Sequence, residues 1–224
     1  SPASTITTSV CGTLTISNPS AVLNIFDNAF LNVAGNISNS SLIQISGPGA
    51  PGNTTRLQVA AGAVTISGSG TLRLASQGSG DSDSAYLYYT SAANVLTNAA
   101  GHTIAGAGRF YANLSNNGTV NADQNGKYLL MIEQPKTNAG TMTASGGGVL
   151  QFRNVGLTQT GSGQLVSSND SPVQLSTTNV SGDRILTGGT VSNLSPVVRN
   201  DYNTRTDKIT AAGWNTEMKL GEWK

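Results

Sequence analysis

Short runs reading apolar–polar–apolar recur along the chain. They are Leu14-Thr15-Ile16, Leu23-Asn24-Ile25, Leu31-Asn32-Val33, Ile43-Gln44-Ile45, Leu57-Gln58-Val59, Val64-Thr65-Ile66, Leu72-Arg73-Leu74, Leu150-Gln151-Phe152 and Val173-Gln174-Leu175. A period of two is the pattern of a strand with one buried face. Gly, Asn and Ser punctuate the runs, and these residues form turns. No window carries a 3.6-residue period, so the chain reads as nearly all β. The strands are short, about three to five residues, and tight hairpin signals are few. A sandwich calls for longer strands and repeated hairpins.

A loose repeat runs through the middle: NAAGHTIAGAG from Asn98, NNGTVNADQNG from Asn116 and NAGTMTASGGG from Asn138, with a degenerate TGSGQLVSSND from Thr160. The glycines Gly101, Gly118, Gly140 and Gly163 stand 17, 22 and 23 residues apart. Repeats of that length with one or two short strands each predict a solenoid. Short strands at coil length fit a single-stranded right-handed parallel β-helix over residues 1 to 198. About ten coils would give a rod roughly 50 Å long at about 4.8 Å per coil. Corners need permissive backbone, which Gly supplies and Asn tolerates, and stacked Asn side chains can ladder between coils. The small Ala105, Ala122 and Ala144 after each apolar position suit a narrow interior.

Composition sharpens this. Lys, Arg, Asp and Glu make up 10% of the 224 residues, against about 25% in ordinary globular chains. Net charge is +1, which removes the electrostatic drive toward nucleic acid or an anionic membrane. No apolar run approaches about 18 residues, so no insertion of this chain into a bilayer is expected. Cys11 is the single cysteine. It reads as an inert thiol, with an interchain disulfide as the alternative.

Two stretches interrupt the rhythm: SGPGAPGNTTR at 46–56 and SQGSGDSDSA at 76–85. Both read as loops leaving the coils, a common seat of binding residues. Composition shifts again near residue 198. The final 26 residues hold nine of the 23 charged side chains and both tryptophans, Trp214 and Trp223. A solenoid needs a capped end, so 199–224 reads as a cap or as an assembly contact built on Trp214 and Trp223.

Residues 68–192 resemble bacterial repetitive β-helix surface proteins, the autotransporter passengers and filamentous-haemagglutinin-like adhesins. The likeness lies in GSGTLRL at Gly68, LTNAAGHTIAGAGRF at Leu96, LSNNGTVNA at Leu114, TNAGTMTASGGGVLQF at Thr137 and LTGGTVSNL at Leu186. It implies a secreted right-handed β-helix, displayed on a cell surface or built into a fibre. The chain departs from that pattern at His102, inserted between Gly101 and Thr103, and in the charged tail.

Catalytic material is sparse. His102 is the single histidine and reads as a structural corner residue. Among the eleven acids only Asp81 and Asp83 are close in sequence within the coils. On a Gly-Ser loop they form a candidate Ca²⁺ site, since hard oxygen ligands suit that ion; a solvated loop is the plainer reading, and no other cofactor is implied. Asp123, Glu133 and Asp170 would form a catalytic carboxylate groove if neighbouring coils brought them together. Thr5-Ile6-Thr7, Thr13-Leu14-Thr15 and Thr141-Met142-Thr143 do not recur once per coil, which argues against an ice-ordering face. Eight Asn-x-Ser/Thr sequons are no firm excess in so polar a chain.

Tyr86, Tyr88 and Tyr89 cluster after the second loop, with Tyr111 a coil later. Ring faces set beside polar groups suit sugars, and these four tyrosines are the candidate glycan-binding residues. The expectation is a non-enzymatic, extracellular or cell-surface structural or adhesive module. Its expected partners are further copies of itself and surface glycans. A carbohydrate-active β-helix of depolymerase or lyase type and a non-catalytic glycan-binding module are the alternatives.

Overall fold

The computed structural model describes residues 8–26, 28–48, 53–78, 84–168, 170–182, 185–187 and 191–192. The strands follow one another in a cycle of three faces. One pass through the three faces is a coil. The first coil is β1 (Thr8–Cys11), β2 (Leu14–Ile16) and β3 (Val22–Ile25). The second is β4 (Phe30–Val33), β5 (Ile37–Asn39) and β6 (Leu42–Gly47); the third is β7 (Thr55–Val59), β8 (Ala63–Ser67) and β9 (Thr71–Ser76). Next come β10 (Ala85–Tyr89), β11 (Val95–Asn98) and the long β12 (Thr103–Phe110). The second half of β12 opens the fifth coil, which continues through β13 (Asn113–Asn116) and β14 (Thr119–Ala122). Then follow β15 (Tyr128–Met131), β16 (Lys136–Asn138), β17 (Thr141–Ala144), β18 (Val149–Arg153), β19 (Leu157–Gln159) and β20 (Gln164–Ser167). The last described strands are β21 (Val173–Ser176), β22 (Val180–Ser181), β23 (Ile185–Thr187) and β24 (Val191–Ser192).

Each strand pairs in parallel with its counterpart one coil before and one coil after. The described residues thus make an all-β, parallel-stranded fold compatible with a β-solenoid. They hold eight coils and one strand of a ninth. All nine alternating runs lie in strands. No helix of the described residues is long and apolar enough to cross a membrane. The expected cap at 199–224, with Trp214 and Trp223, lies outside the described residues, as do Asp81 and Asp83.

Register explains the core. Parallel pairing stacks like on like, so each inward position becomes a column. One column is Leu31, Leu57, Leu87, Phe110, Met131, Phe152 and Leu175. Another is Leu23, Ile43, Leu72, Ile104, Val120, Met142 and Leu165. From Ile43 and Leu57 onward these residues are essentially buried. Burial of such a side chain stabilises by about 1.5–3 kcal/mol. The first coil is less covered: Cys11, Leu14, Ile16 and Leu23 are only partly buried, and Val10, Val22 and Phe26 are exposed.

The passage from the third face back to the first differs among coils. The two stretches expected as loops lead into β7 and β10; their ends lie in strands, and 49–52 and 79–83 lie outside the described residues. One coil later the loop is absent, and β12 turns the corner as continuous strand, joining two faces into one 16-stranded sheet. Gly106 (φ 109°) and Gly108 (φ 150°) make the turn. A Cβ on Gly106 would stand 2.0 Å from the Leu74 carbonyl oxygen, so no side chain fits. Three contacts then clasp across this corner. Asp123 accepts from Arg73 Nη1 and Nη2 at 3.2 and 2.6 Å, Gln124 Nε2 donates to Leu74 O at 3.3 Å, and Lys127 Nζ donates to Ser76 O at 2.6 Å. Ala105, aligned between Arg73 and Asn121, is small enough for the arginine to lie over its coil.

Candidate functional site

The outward side of the first face carries an ordered stack. Register aligns Phe30 with Arg56, Arg56 with Tyr86, and Tyr86 with Arg109. Two alternations explain it. Inward positions hold the core leucines, so the intervening positions face out; and parallel pairing places them in one line. The Arg56 guanidinium lies 4.5 Å from the Phe30 ring centre, 4.8 Å from Tyr88 and 5.7 Å from Tyr86. Arg109 lies 5.8 Å from Tyr86 and donates Nη1 to the Tyr111 hydroxyl at 3.3 Å. Tyr111 meets Tyr86 and Tyr88 edge-on, with ring centres 5.1 and 4.9 Å apart. Tyr88 and Tyr89 stack nearly parallel at 4.9 Å. The structure therefore brings together all four candidate tyrosines. It adds Phe30, Arg56 and Arg109, which sequence reasoning missed; their signal was the shared outward register.

Tyr86 and Tyr88 point outward and Leu87 into the core, as alternation requires, while Tyr89 at the strand end packs against the core and also stacks on Tyr88. Burial pushes the Tyr86 phenol up, with the neighbouring Tyr111 acting in the same direction and Arg109 and Arg56 partly offsetting both. Tyr89 is held at its hydroxyl. It donates to Glu133 Oε2 at 2.7 Å and accepts from Gln134 Nε2 at 3.2 Å. The Glu133 bond is the main cause of its raised pKa, ahead of burial. Glu133 sits in the left-handed region (φ 60°), a local strain that directs the corner.

That corner is pinned from within. Lys136 occupies an inward position aligned with Leu114 and Leu157 and is fully buried. Its ammonium donates to the carbonyl oxygens of Ala112 (2.9 Å), Ile132 (3.1 Å) and Gln134, filling its three donor positions. It also lies 5.4 Å from the centre of the Phe110 ring. Burial lowers its pKa from 10.5 to about 7, and the Glu133 carboxylate opposes that fall. A lysine in a polar-looking KTN run gave no sign of this inward position.

A buried polar ladder runs along the corner between the second and third faces. Asn98 Nδ2 donates to Asn116 Oδ1 at 2.8 Å, Asn116 Nδ2 to Asn138 Oδ1 at 2.7 Å, and Asn138 Nδ2 to Gln159 Oε1 at 2.7 Å. The third coil has Ile66 at the aligned position, which would end the ladder. His102 bridges the gap. It accepts at Nε2 from Asn39 Nδ2 (3.1 Å) and donates Nδ1–H to Asn98 Oδ1 (2.8 Å). An amide NH₂ only donates, so the ring is the neutral Nδ1–H tautomer. Gly68 and Gly70 leave the space; a Cβ on Gly70 would stand 2.6 Å from Asn39 Nδ2. Burial lowers the His102 pKa from 6.5 to about 4. The histidine's structural role is thus specific: it splices two segments of one ladder.

The carboxylate groove does not form. Asp123 is bound by Arg73 and Glu133 by Tyr89, and with Asp170 they make no group of three among the described residues. Among the described residues no group of three or more His, Cys, Asp or Glu side chains could hold a metal ion. Burial pushes the Cys11 thiol above its ordinary value, the direction of an unreactive thiol. On the second face an outward hydroxyl column does form, Thr65, Thr97, Ser115, Thr137, Thr158 and Ser181. It is a single rank, unlike the Thr-x-Thr pairs sought in the sequence. No protein-family model, no curated protein and no solved structure matches this chain.

Proposed function

We propose that the chain is a right-handed, single-stranded parallel β-helix that acts as an extracellular structural or adhesive module. The observation that carries this is the unbroken three-face cycle of parallel pairing, which turns every outward position into a line of evenly spaced side chains. Such a scaffold is suited to display. Backbone hydrogen bonds run along its axis, and the buried ladder ties successive coils. The motif likeness to repetitive bacterial surface proteins and the low charge agree with a secreted setting. The adhesive surface is the aromatic and arginine face of β4, β7, β10 and β12.

Electron microscopy and light scattering of the purified protein test the structural part. Short rods about 4 nm long or longer, growing into end-to-end polymers with concentration, support a fibre-forming module. Rounded particles that stay monomeric at high concentration contradict it. A catalytic reading has less support, because Asp123 is engaged by Arg73 and Glu133 by Tyr89.

A further inference from the structure

We propose that the outer face of β4, β7, β10 and β12 is a binding site for an acidic glycan, a sugar chain bearing carboxylates, lying along the coil axis. This deepens the adhesive reading and rests on it. The face supplies two things such a ligand needs. The first is apolar ring area for the C–H faces of pyranose rings: Tyr86, Tyr88, Tyr111 and Phe30 are all half-buried rather than covered. The second is guanidinium. Arg56 donates Nε to Thr54 Oγ1 at 3.0 Å, and no carboxylate among the described residues pairs with it. Its terminal nitrogens, held among three rings, retain the fork that matches a carboxylate in two parallel hydrogen bonds.

Charge sorts in the same direction. Of the three described acids, Asp123 is bound across another corner and Glu133 is drawn to the Tyr89 hydroxyl. Among the described residues, the contacts at the centre of the stack are between rings and guanidinium groups. Arg56 and Arg109 flank Tyr86 in register, about 10 Å apart along the axis at two coil spacings. A carboxylate on the sugar chain would meet Arg56 while a ring rests on Tyr86 or Tyr88. Nucleic acid also pairs phosphate with arginine and stacks on rings, so an oligonucleotide is the rival polyanion in the test.

The test measures binding of three probes to the full chain by calorimetry: oligogalacturonate, its carboxyl-reduced neutral counterpart, and single-stranded oligothymidylate. Oligogalacturonate is expected to bind, to weaken with salt, and to lose about tenfold or more in affinity in Arg56→Gln, with Arg56→Lys only partly restoring it. Circular dichroism establishes that both variants are folded. Equal binding of the neutral sugar, no change in Arg56→Gln, or preference for the oligothymidylate would each overturn the assignment. Equal binding of both sugars would leave the adhesive module standing without its acid selectivity. Binding of neither sugar would remove the site itself, while the rods seen by microscopy judge the scaffold separately.

Discussion

Asn39 and His102 meet at 3.1 Å across an intervening coil that contributes no side chain to the contact. The donor is an amide NH₂, so the histidine nitrogen facing it must stay unprotonated. Protonating Nε2 would set two donors against each other in a fully buried position.

Acid should therefore loosen the fold within a defined window. The folded pKa of His102 is about 4 and the ordinary value 6.5. Between these values the unfolded chain binds the proton and the folded one does not, so stability rises with pH there. It is fully present above pH 6.5 and lost as pH falls toward 4, by as much as ~3 kcal/mol. Urea unfolding at pH 7 and pH 4.5 measures this. His102→Gln, which cannot titrate, should show a smaller loss over the same interval; an equal loss would refute the role of His102.

The ladder itself should be cooperative. Asn116 accepts from Asn98 and donates to Asn138 and to the Gly118 and Thr141 carbonyls. Asn116→Ala strips partners from both neighbours and is expected to cost about 2–4 kcal/mol. A double-mutant cycle with Asn138→Ala should show strong coupling, because the two share one network.

Lys136 gives the opposite end of the pH scale. Its folded pKa is near 7 against an ordinary 10.5, so the unfolded chain holds the extra proton across that interval and stability again rises with pH. Relative to Lys136→Met, the native protein should gain about 2–3 kcal/mol between pH 7 and pH 9. Chemical denaturation of both proteins at the two pH values reads the difference. A constant gap would mean that the ammonium is not desolvated.

The loopless corner should reject a single methyl group. Gly106→Ala meets both a positive φ and the Leu74 carbonyl, and a loss of about 2 kcal/mol or more is expected. Gly62→Ala has open space around it and should be close to neutral. Thermal unfolding of the pair separates backbone constraint from glycine content.

Much of this fold was legible in the sequence because alternation and stacking reinforce each other. Leu57-Gln58-Val59 reads as strand alone, and parallel register then repeats the same polarity one coil later in Leu87 and Tyr88. The Asn-x-Gly corners were visible for the same reason. Contacts that skip a coil were not. Arg73 reaches Asp123 fifty positions along, and His102 reaches Asn39 sixty-three positions back. Both depend on a coil with something missing, the absent corner loop in one case and Gly68 and Gly70 in the other. Lys136 was unreadable because the carbonyls that hold its charge carry no residue identity. Among the functional candidates the tyrosines stood out as a cluster, whereas Arg56 and Arg109 acquire meaning only through their alignment with Tyr86.

The most direct test is a set of distances between spin labels placed along the outward hydroxyl column. Thr65, Thr158 and Ser181 share one register line, with Thr158 four coil steps and Ser181 five steps from Thr65. A parallel coil requires about 19 Å between Thr65 and Thr158 and about 24 Å between Thr65 and Ser181. Distances that fail to grow by one coil spacing, or a Thr158 label farther from Thr65 than the Ser181 label, would contradict the stacked arrangement on which the display surface depends.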